Sequence, residues 1–183
     1  MILPIWVATW ELDCCQPDAV VGERWRGSVF LHPGPQWWVS EYNRQLPPEH
    51  KDLGVVELDV DVVRPTPAPE GAALARVEGV SIGVLGLQAM GKHHVRGTCI
   101  FEGHTGPDGV ALEEVECRGI VRRVRRVPLV YEPRGRRMWV PLAQLDPIDV
   151  HSTLDREPDR VPVGGATSMQ DSLLVDLELT PDR

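Results

Sequence analysis

The sequence has few of the features that mark membrane, secreted or cofactor-binding proteins. No stretch approaches the roughly 18 uninterrupted apolar residues of a membrane-spanning helix. The opening MILPIWVATWELD lacks the basic segment of a secretion signal. We therefore predict a cytoplasmic protein without membrane association. In that compartment the four cysteines, Cys14, Cys15, Cys99 and Cys117, are expected to be reduced thiols.

Spaced metal-binding and nucleotide-binding motifs are also missing. The chain has no CxxC, no HxxxH and no GxGxxG, which are patterns of redox, zinc and dinucleotide sites. We therefore assign no catalytic residue, metal or cofactor, and an enzyme is not the expected class. A zinc-binding or thiol-dependent protein stays an alternative, using the four cysteines with His93, His94 and His104.

The composition favours strands and turns over helices. Valine occurs 25 times, and 17 glycines and 17 prolines punctuate the chain. Alternation of apolar and polar residues predicts strands over 20–30, 56–62 and 173–179. A first strand is predicted over 2–10, where apolar residues on both faces indicate that it is covered on both sides. A further strand is predicted over 95–102. Glycines at 79, 83 and 86 predict bent strands over 72–90. The fold class is therefore mainly β, with small barrel-like or sandwich sheets of short strands and little helix.

Changes in composition divide the chain into four parts. We predict an N-terminal β subdomain at 1–64, a proline-rich connector at 65–71, a second β subdomain with a basic hairpin at 72–145, and an acidic extended tail at 146–183 with a terminal strand. This last strand is expected to complete the protein's own sheet or to add to the sheet edge of a partner. Glu57, Asp59 and Asp61 alternate with apolar residues along one strand. They are expected to form a solvent-exposed acidic face or, alternatively, a cation site.

The strongest asymmetry in the sequence is the basic stretch 118–142. Its first twenty residues contain eight arginines and a single acid, a net charge of +7 in a chain of −8. Val121, Val124 and Val127 recur at every third position, as in a short helix. The density of β-branched residues nevertheless favours a bulged or twisted strand. A return strand over 138–142 completes a basic hairpin.

The basic hairpin is the leading candidate for an interaction site. The residues predicted to bind a partner are Arg122, Arg123, Arg125, Arg126, Arg134, Arg136, Arg137 and Trp139. We expect a non-catalytic protein-interaction or assembly module that docks a protein partner, or a second copy, through this hairpin and the terminal strand. Alternatively the arginines contact nucleic acid, or they pair with the acids at 57–61 or with the acidic tail.

A loop rich in proline offers a second candidate surface. Trp37, Trp38 and Tyr42 lie between prolines at 33, 35, 47 and 48. These aromatic side chains are expected either to pack over the core or to form a binding surface.

Three segments resemble a known family. The W…CC…VG…W opening over 10–25, the turn over 96–106 and the RGxVRR strand beginning at Arg118 are similar to actinobacterial (Streptomyces-type) proteins that carry a domain of unknown function. The excess of arginine over lysine, seventeen to two, agrees with a GC-rich source. The resemblance implies a β-rich cytosolic protein and no activity or cofactor. The chain departs from the family in its single turn histidine, His104, and in its proline-rich and acidic insertions.

Overall fold

The structure is a computed structural model in which residues 1–8, 18–34, 52–103, 107–134, 138–144, 146–154, 160–163 and 167–181 are described. These residues contain eleven strands, one short 3-10 helix (Leu112–Val115) and no α-helix. The strands are β1 (Ile2–Ala8), β2 (Arg24–Pro33), β3 (Val55–Arg64), β4 (Ala72–Val77), β5 (Val80–Leu85), β6 (Gly91–Phe101), β7 (Glu116–Arg134), β8 (Met138–Gln144), β9 (Ile148–Val150), β10 (Arg160–Val163) and β11 (Thr167–Leu179). The predicted mainly β class is confirmed.

The strands form one sheet that closes on itself. Around the closed circuit the order is β11, β1, β6, β3, β4, β5, β2 and β7, and pairing of β7 with β11 completes an eight-stranded barrel. Because β2 also pairs with β6, the circuit divides into two five-stranded rings that share these two strands. The predicted barrel-like sheet is therefore a single connected barrel, with β8, β9 and β10 attached outside the circuit.

The central strands bury side chains on both faces of the sheet. Consecutive residues of a strand point to opposite faces, and on β1 Ile5 lies in the main core whereas Trp6 lies in a second apolar cluster. Trp6 is directly opposite Ile100 of β6 and Leu174 of β11, which belong to the same cluster. Both Ile5 and Trp6 are at most 3% exposed. The prediction that the first strand is covered on both sides is confirmed.

The basic stretch is a bulged strand, as predicted. Along the β7–β11 pair, Arg123 is opposite Asp176 and Val121 is opposite Leu177, so Arg122 is an extra residue on β7. This bulge brings Val121 and Val124, three positions apart, onto the same inner face, where both are fully buried. A helix is not needed to explain their spacing.

The glycine-rich segment after residue 71 forms the β4–β5 hairpin. Its two turn residues, Glu78 and Gly79, have φ of 49° and 82°, the left-handed backbone of a type I′ turn. Gly83 is required by packing, because a Cβ at this position would lie 2.2 Å from the ring of Phe30. The strands predicted for this segment are therefore present, paired in continuous register, and their bending stays a prediction.

All parts of the chain contribute strands to the same sheet. β1 of segment 1–64 pairs with β11 of the tail and with β6 of segment 72–145. Residues 65–71 form the loop between β3 and β4, which are hydrogen-bonded to each other. β11 has β1 on one edge and β7 on the other. Of the two roles considered for the terminal strand, β11 therefore has the first, since it completes the protein's own sheet.

Candidate interaction surface

The first two predicted arginines of β7 lie on the outer face of the sheet, opposite the main core. Val121 and Val124 point inward, whereas the side chains of Arg122 and Arg123 between them are each 52% exposed. The bulge places both consecutive arginines on the solvent side. The unusual strand geometry thus creates a denser cationic surface than a regular strand would present.

Each of these two arginines meets a carboxylate from the C-terminal segment. Arg122 pairs with Glu178 of β11, and Arg123 binds Asp149 of β9 through Nε at 2.5 Å and Nη2 at 3.0 Å. The hydrogen bond from Arg123 lowers the pKa of the Asp149 carboxyl group, and Asp149 in turn raises the pKa of Arg123. The basic stretch and the acidic tail are therefore ion-paired within the chain at these positions.

Arg125 differs from its neighbours because its ion pair is shielded from water. Its Nη2 lies 2.6 Å from Oδ1 of Asp176, and the two side chains are only 14% and 16% exposed. Arg125 is also directly opposite Leu174, which packs against Trp6. Removing one partner of such a pair leaves a poorly solvated charge, which is strongly destabilising. This pair therefore fixes β7 to β11.

The other predicted contact residues are only partly described. Arg126 is partly buried, opposite Leu173 and Ile148. Arg134 and Trp139 belong to the paired ends of β7 and β8, but their side chains lie outside the described part. The residues wholly outside the described ranges are Arg136, Arg137, Trp37, Trp38 and Tyr42. Their roles stay predictions.

Two arginines of β2 join the cationic surface and were missed by the sequence analysis. Arg24 and Arg26 are exposed, and Trp25 between them is 3% exposed and packs edge-on against Phe101 at a ring distance of 5.8 Å. In the β2–β7 pair Arg26 is directly opposite Arg118. The alternating Arg-Trp-Arg pattern was the available signal, but the partner strand could not be inferred from it.

These residues define one surface. The exposed arginines on the outer faces of β2 and β7 are Arg24, Arg26, Arg118, Arg122 and Arg123, which we call the arginine surface. Arg118 is paired with Glu116 of its own strand at 2.5 Å. The surface therefore contains both compensated and uncompensated cations.

The acids of β3 have a different set of partners. Glu57, Asp59 and Asp61 are directly opposite Arg96, His94 and Lys92 of β6, an arrangement that we call the charge ladder. The side chains of Asp59 and His94 are 2.9 Å apart, and Arg96 lies 3.3 Å from Glu57. The suggestion that these acids pair with the basic stretch is therefore wrong for the described contacts, because β6 supplies their partners.

An open groove of about 620 Å³ lies beside the ladder. Acidic and basic side chains line it together, including Asp61, Arg76, Glu78 and Lys92. Glu78 also pairs with the terminal ammonium of Met1 at 3.0 Å. Within the described ranges, no group of three or more histidine, cysteine or acidic residues is arranged to hold a metal ion.

The described cysteines are buried thiols. Cys99 and Cys117 are fully buried in the main core. Burial raises the pKa of Cys117 to about 12, and burial together with the nearby Cys117 raises that of Cys99. Both groups are therefore protonated and unreactive at neutral pH. Cys14, Cys15 and His104 of the zinc or thiol alternative lie outside the described residues.

A serine motif was also overlooked in the sequence. Residues 79–83 read GVSIG and match the GxSxG pattern of esterases. In those enzymes the serine occupies a sharp strand-to-helix turn. Ser81 instead lies within β5, opposite Arg76 of β4, and no α-helix occurs in the described part of the chain. The match therefore lacks the geometry of a nucleophile.

Comparison with known proteins adds no relative. No protein-family model matches the chain, and no match is found among the curated proteins or the solved structures. The resemblance to actinobacterial proteins therefore stays a prediction. Within the described ranges, no helix combines the length and the apolar character needed to cross a bilayer.

Proposed function

We propose that the protein is a non-catalytic interaction module that docks an acidic partner protein through its arginine surface. The observation that carries the proposal is the position of five exposed arginines on the outer faces of two paired strands. A rigid barrel holds these side chains in a fixed register, which favours specific contacts with carboxylates.

The distribution of acids favours a protein partner over nucleic acid. Glu116, Glu178 and Asp149 lie among the arginines and are bound to three of them. A nucleic-acid backbone presents densely spaced phosphates, which these carboxylates and the net charge of −8 would repel. Carboxylate side chains of a protein can be spaced to avoid the existing acids.

The thiol alternative has less support. A thiol-dependent activity requires an accessible thiolate, whereas Cys99 and Cys117 are buried and have raised pKa values. The proposed docking site does not use β11 to extend the sheet of a partner, because both edges of β11 are already paired with β1 and β7.

A charge-swapped variant tests the proposal without breaking the internal ion pairs. Arg122→Glu with Glu178→Arg, combined with Arg123→Asp and Asp149→Arg, reverses four charges while keeping each pair. Affinity purification from the native host, together with sedimentation velocity for self-association, compares the swapped and original proteins. We expect the swapped protein to lose the partner or the self-association. Retention of the same complex by the swapped protein would contradict the proposal.

The matched control swaps a pair of the charge ladder. Asp59→His with His94→Asp exchanges two exposed, paired side chains on β3 and β6. This control is expected to keep the complex, because it leaves the arginine surface unchanged. Loss of the complex in the control would place the contact on the ladder instead.

A further inference from the structure

The β2–β7 pair contains two arginines in direct opposition. Arg26 faces Arg118 in the cross-strand register, and Arg24 lies two residues away on the same face of β2. We propose that Arg24, Arg26 and Arg118 form a carboxylate-binding site that recognises an extended acidic segment of a partner protein. This inference rests on the proposed function and names the chemistry at its centre.

The direction of these side chains is fixed by the buried residues next to them in the chain. Trp25 on β2 and Cys117 on β7 point into the main core and are at most 3% exposed. Alternation along the strands therefore directs Arg24, Arg26 and Arg118 to the opposite, solvent-facing side. Neither strand can turn its arginines away without exposing its buried residues.

The site has an excess of positive charge. In the described part of the chain, the side chains of Arg24 and Arg26 form no hydrogen bond or ion pair, although both residues pair with β7 through the backbone. The side chain of Arg118 is bound to Glu116. Like charges directly opposite each other in a sheet are destabilising. A carboxylate placed between Arg26 and Arg118 removes that repulsion and accepts hydrogen bonds from the guanidinium groups.

The spacing of the arginines indicates the form of the ligand. Arg24 and Arg26 are two residues apart on one strand, a repeat of about 6.8 Å along the sheet. An extended peptide with acids at alternate positions has the same repeat, so successive carboxylates can meet successive arginines. A nucleic-acid strand carries a phosphate at every nucleotide, so a strand that follows these arginines would also bring phosphates close to Glu116.

The probe for the test is the peptide Glu-Thr-Glu-Thr-Glu-Thr, titrated into the full chain by isothermal calorimetry at low salt. We expect measurable binding, and a loss of affinity of about ten-fold when Arg24→Gln and Arg26→Gln are combined, since two exposed ion pairs are removed. The control Arg96→Gln removes a charge from the ladder on β6 and is expected to change the affinity less than two-fold. Circular dichroism verifies that each variant is folded.

Three results would overturn the site. These are no binding to the original protein, equal binding by the double variant, or an equal loss in the Arg96→Gln control, which would indicate non-specific attraction. A duplex DNA oligonucleotide provides a further arm, and tighter binding of DNA with the same dependence on Arg24 and Arg26 would also contradict an acidic protein segment as ligand.

The site and the proposed function can fail separately. If the peptide binds in an Arg26-dependent way but no complex is recovered from the host, the carboxylate site stands and the docking function fails. If the Arg24→Gln, Arg26→Gln variant still captures the partner, the docking function stands and this site fails.

Discussion

The arginine surface and the charge ladder contain similar residues but balance their charges differently. In the ladder, every acid of β3 is directly opposite a cationic or ionisable residue of β6. On the arginine surface, carboxylates from β9 and β11 bind Arg123 and Arg122, whereas Arg26 faces another arginine. Each acid of the ladder therefore has a basic residue opposite it, whereas Arg26 has another arginine opposite it.

This difference shows that strand register, rather than overall composition, decides where charge is left over. The acids of β3 are three of 27 acidic residues in a chain of net charge −8, yet each is directly opposite an arginine, a lysine or a histidine of β6. Arg24 and Arg26 belong to the same acidic protein, yet β7 places Arg118 opposite Arg26, with the single acid Glu116 bound to Arg118. Net charge alone would have suggested the opposite preference for partners.

The largest expected effect concerns the shielded pair beside the arginine surface. Asp176→Asn leaves Arg125 partly buried without its counter-ion, which should lower the free energy of unfolding by about 2–3 kcal/mol. Asp59→Asn in the exposed ladder should change it by less than about 1 kcal/mol. Urea denaturation of both variants measures the contrast.

A double variant separates the loss of the pair from the cost of an isolated charge. Combining Arg125→Met with Asp176→Leu removes both charges, and most of the lost stability is expected to return. If Asp176→Asn and Asp59→Asn are equally mild, shielding has no energetic consequence and the distinction between the two regions is lost.

A smaller effect is expected from acid titration of Asp149. The hydrogen bond from Arg123 lowers the pKa of the Asp149 carboxyl group in the folded protein. The pair therefore stabilises the folded protein at pH values above the unfolded pKa of about 3.8. This stabilisation is lost as the pH falls through the folded pKa. Arg123→Gln should therefore be less stable than the original protein at pH 7, by less than about 1 kcal/mol, and the difference should be smaller near pH 2. Chemical denaturation at the two pH values measures this, and an unchanged difference would show that the pair does not contribute.

The smallest effect has the opposite sign. Arg26→Gln removes the repulsion with Arg118 and should raise the free energy of unfolding by about 0.2–1 kcal/mol at low salt. The gain should shrink in 1 M salt, where exposed charges are screened. Arg96→Gln removes the attractive contact with Glu57 in the ladder and should lower the free energy of unfolding slightly. The two Arg→Gln substitutions would therefore change the free energy of unfolding in opposite directions.

The strands could be predicted from local sequence because burial imposes a visible period. Leu173, Val175, Leu177 and Leu179 alternate in the sequence and are buried on one face of β11. The β7 strand was recognised from its valines even though a bulge disrupts its alternation. Local propensity and burial agree in these segments.

The pairing of strands could not be predicted, and the candidate site depends on it. The pattern around Trp25 indicates that Arg24 and Arg26 share a face, but nothing in it places Arg118 opposite. Likewise, the acids of β3 could have faced any basic strand. Contacts between distant segments are determined by the closure of the whole barrel, to which residues from both ends of the chain contribute.

An NMR titration compares the arginine surface and the charge ladder in one experiment and tests most directly whether the arginine surface binds acidic segments. Backbone amide chemical shifts of the isotopically labelled protein are recorded by NMR during titration with the alternating Glu-Thr peptide. We expect the shift changes to concentrate on β2 and β7 around Arg26 and Arg118, and the shifts of β3 and β6 to stay unchanged. Shifts that concentrate on the charge ladder, or that spread equally over both regions, would contradict this expectation.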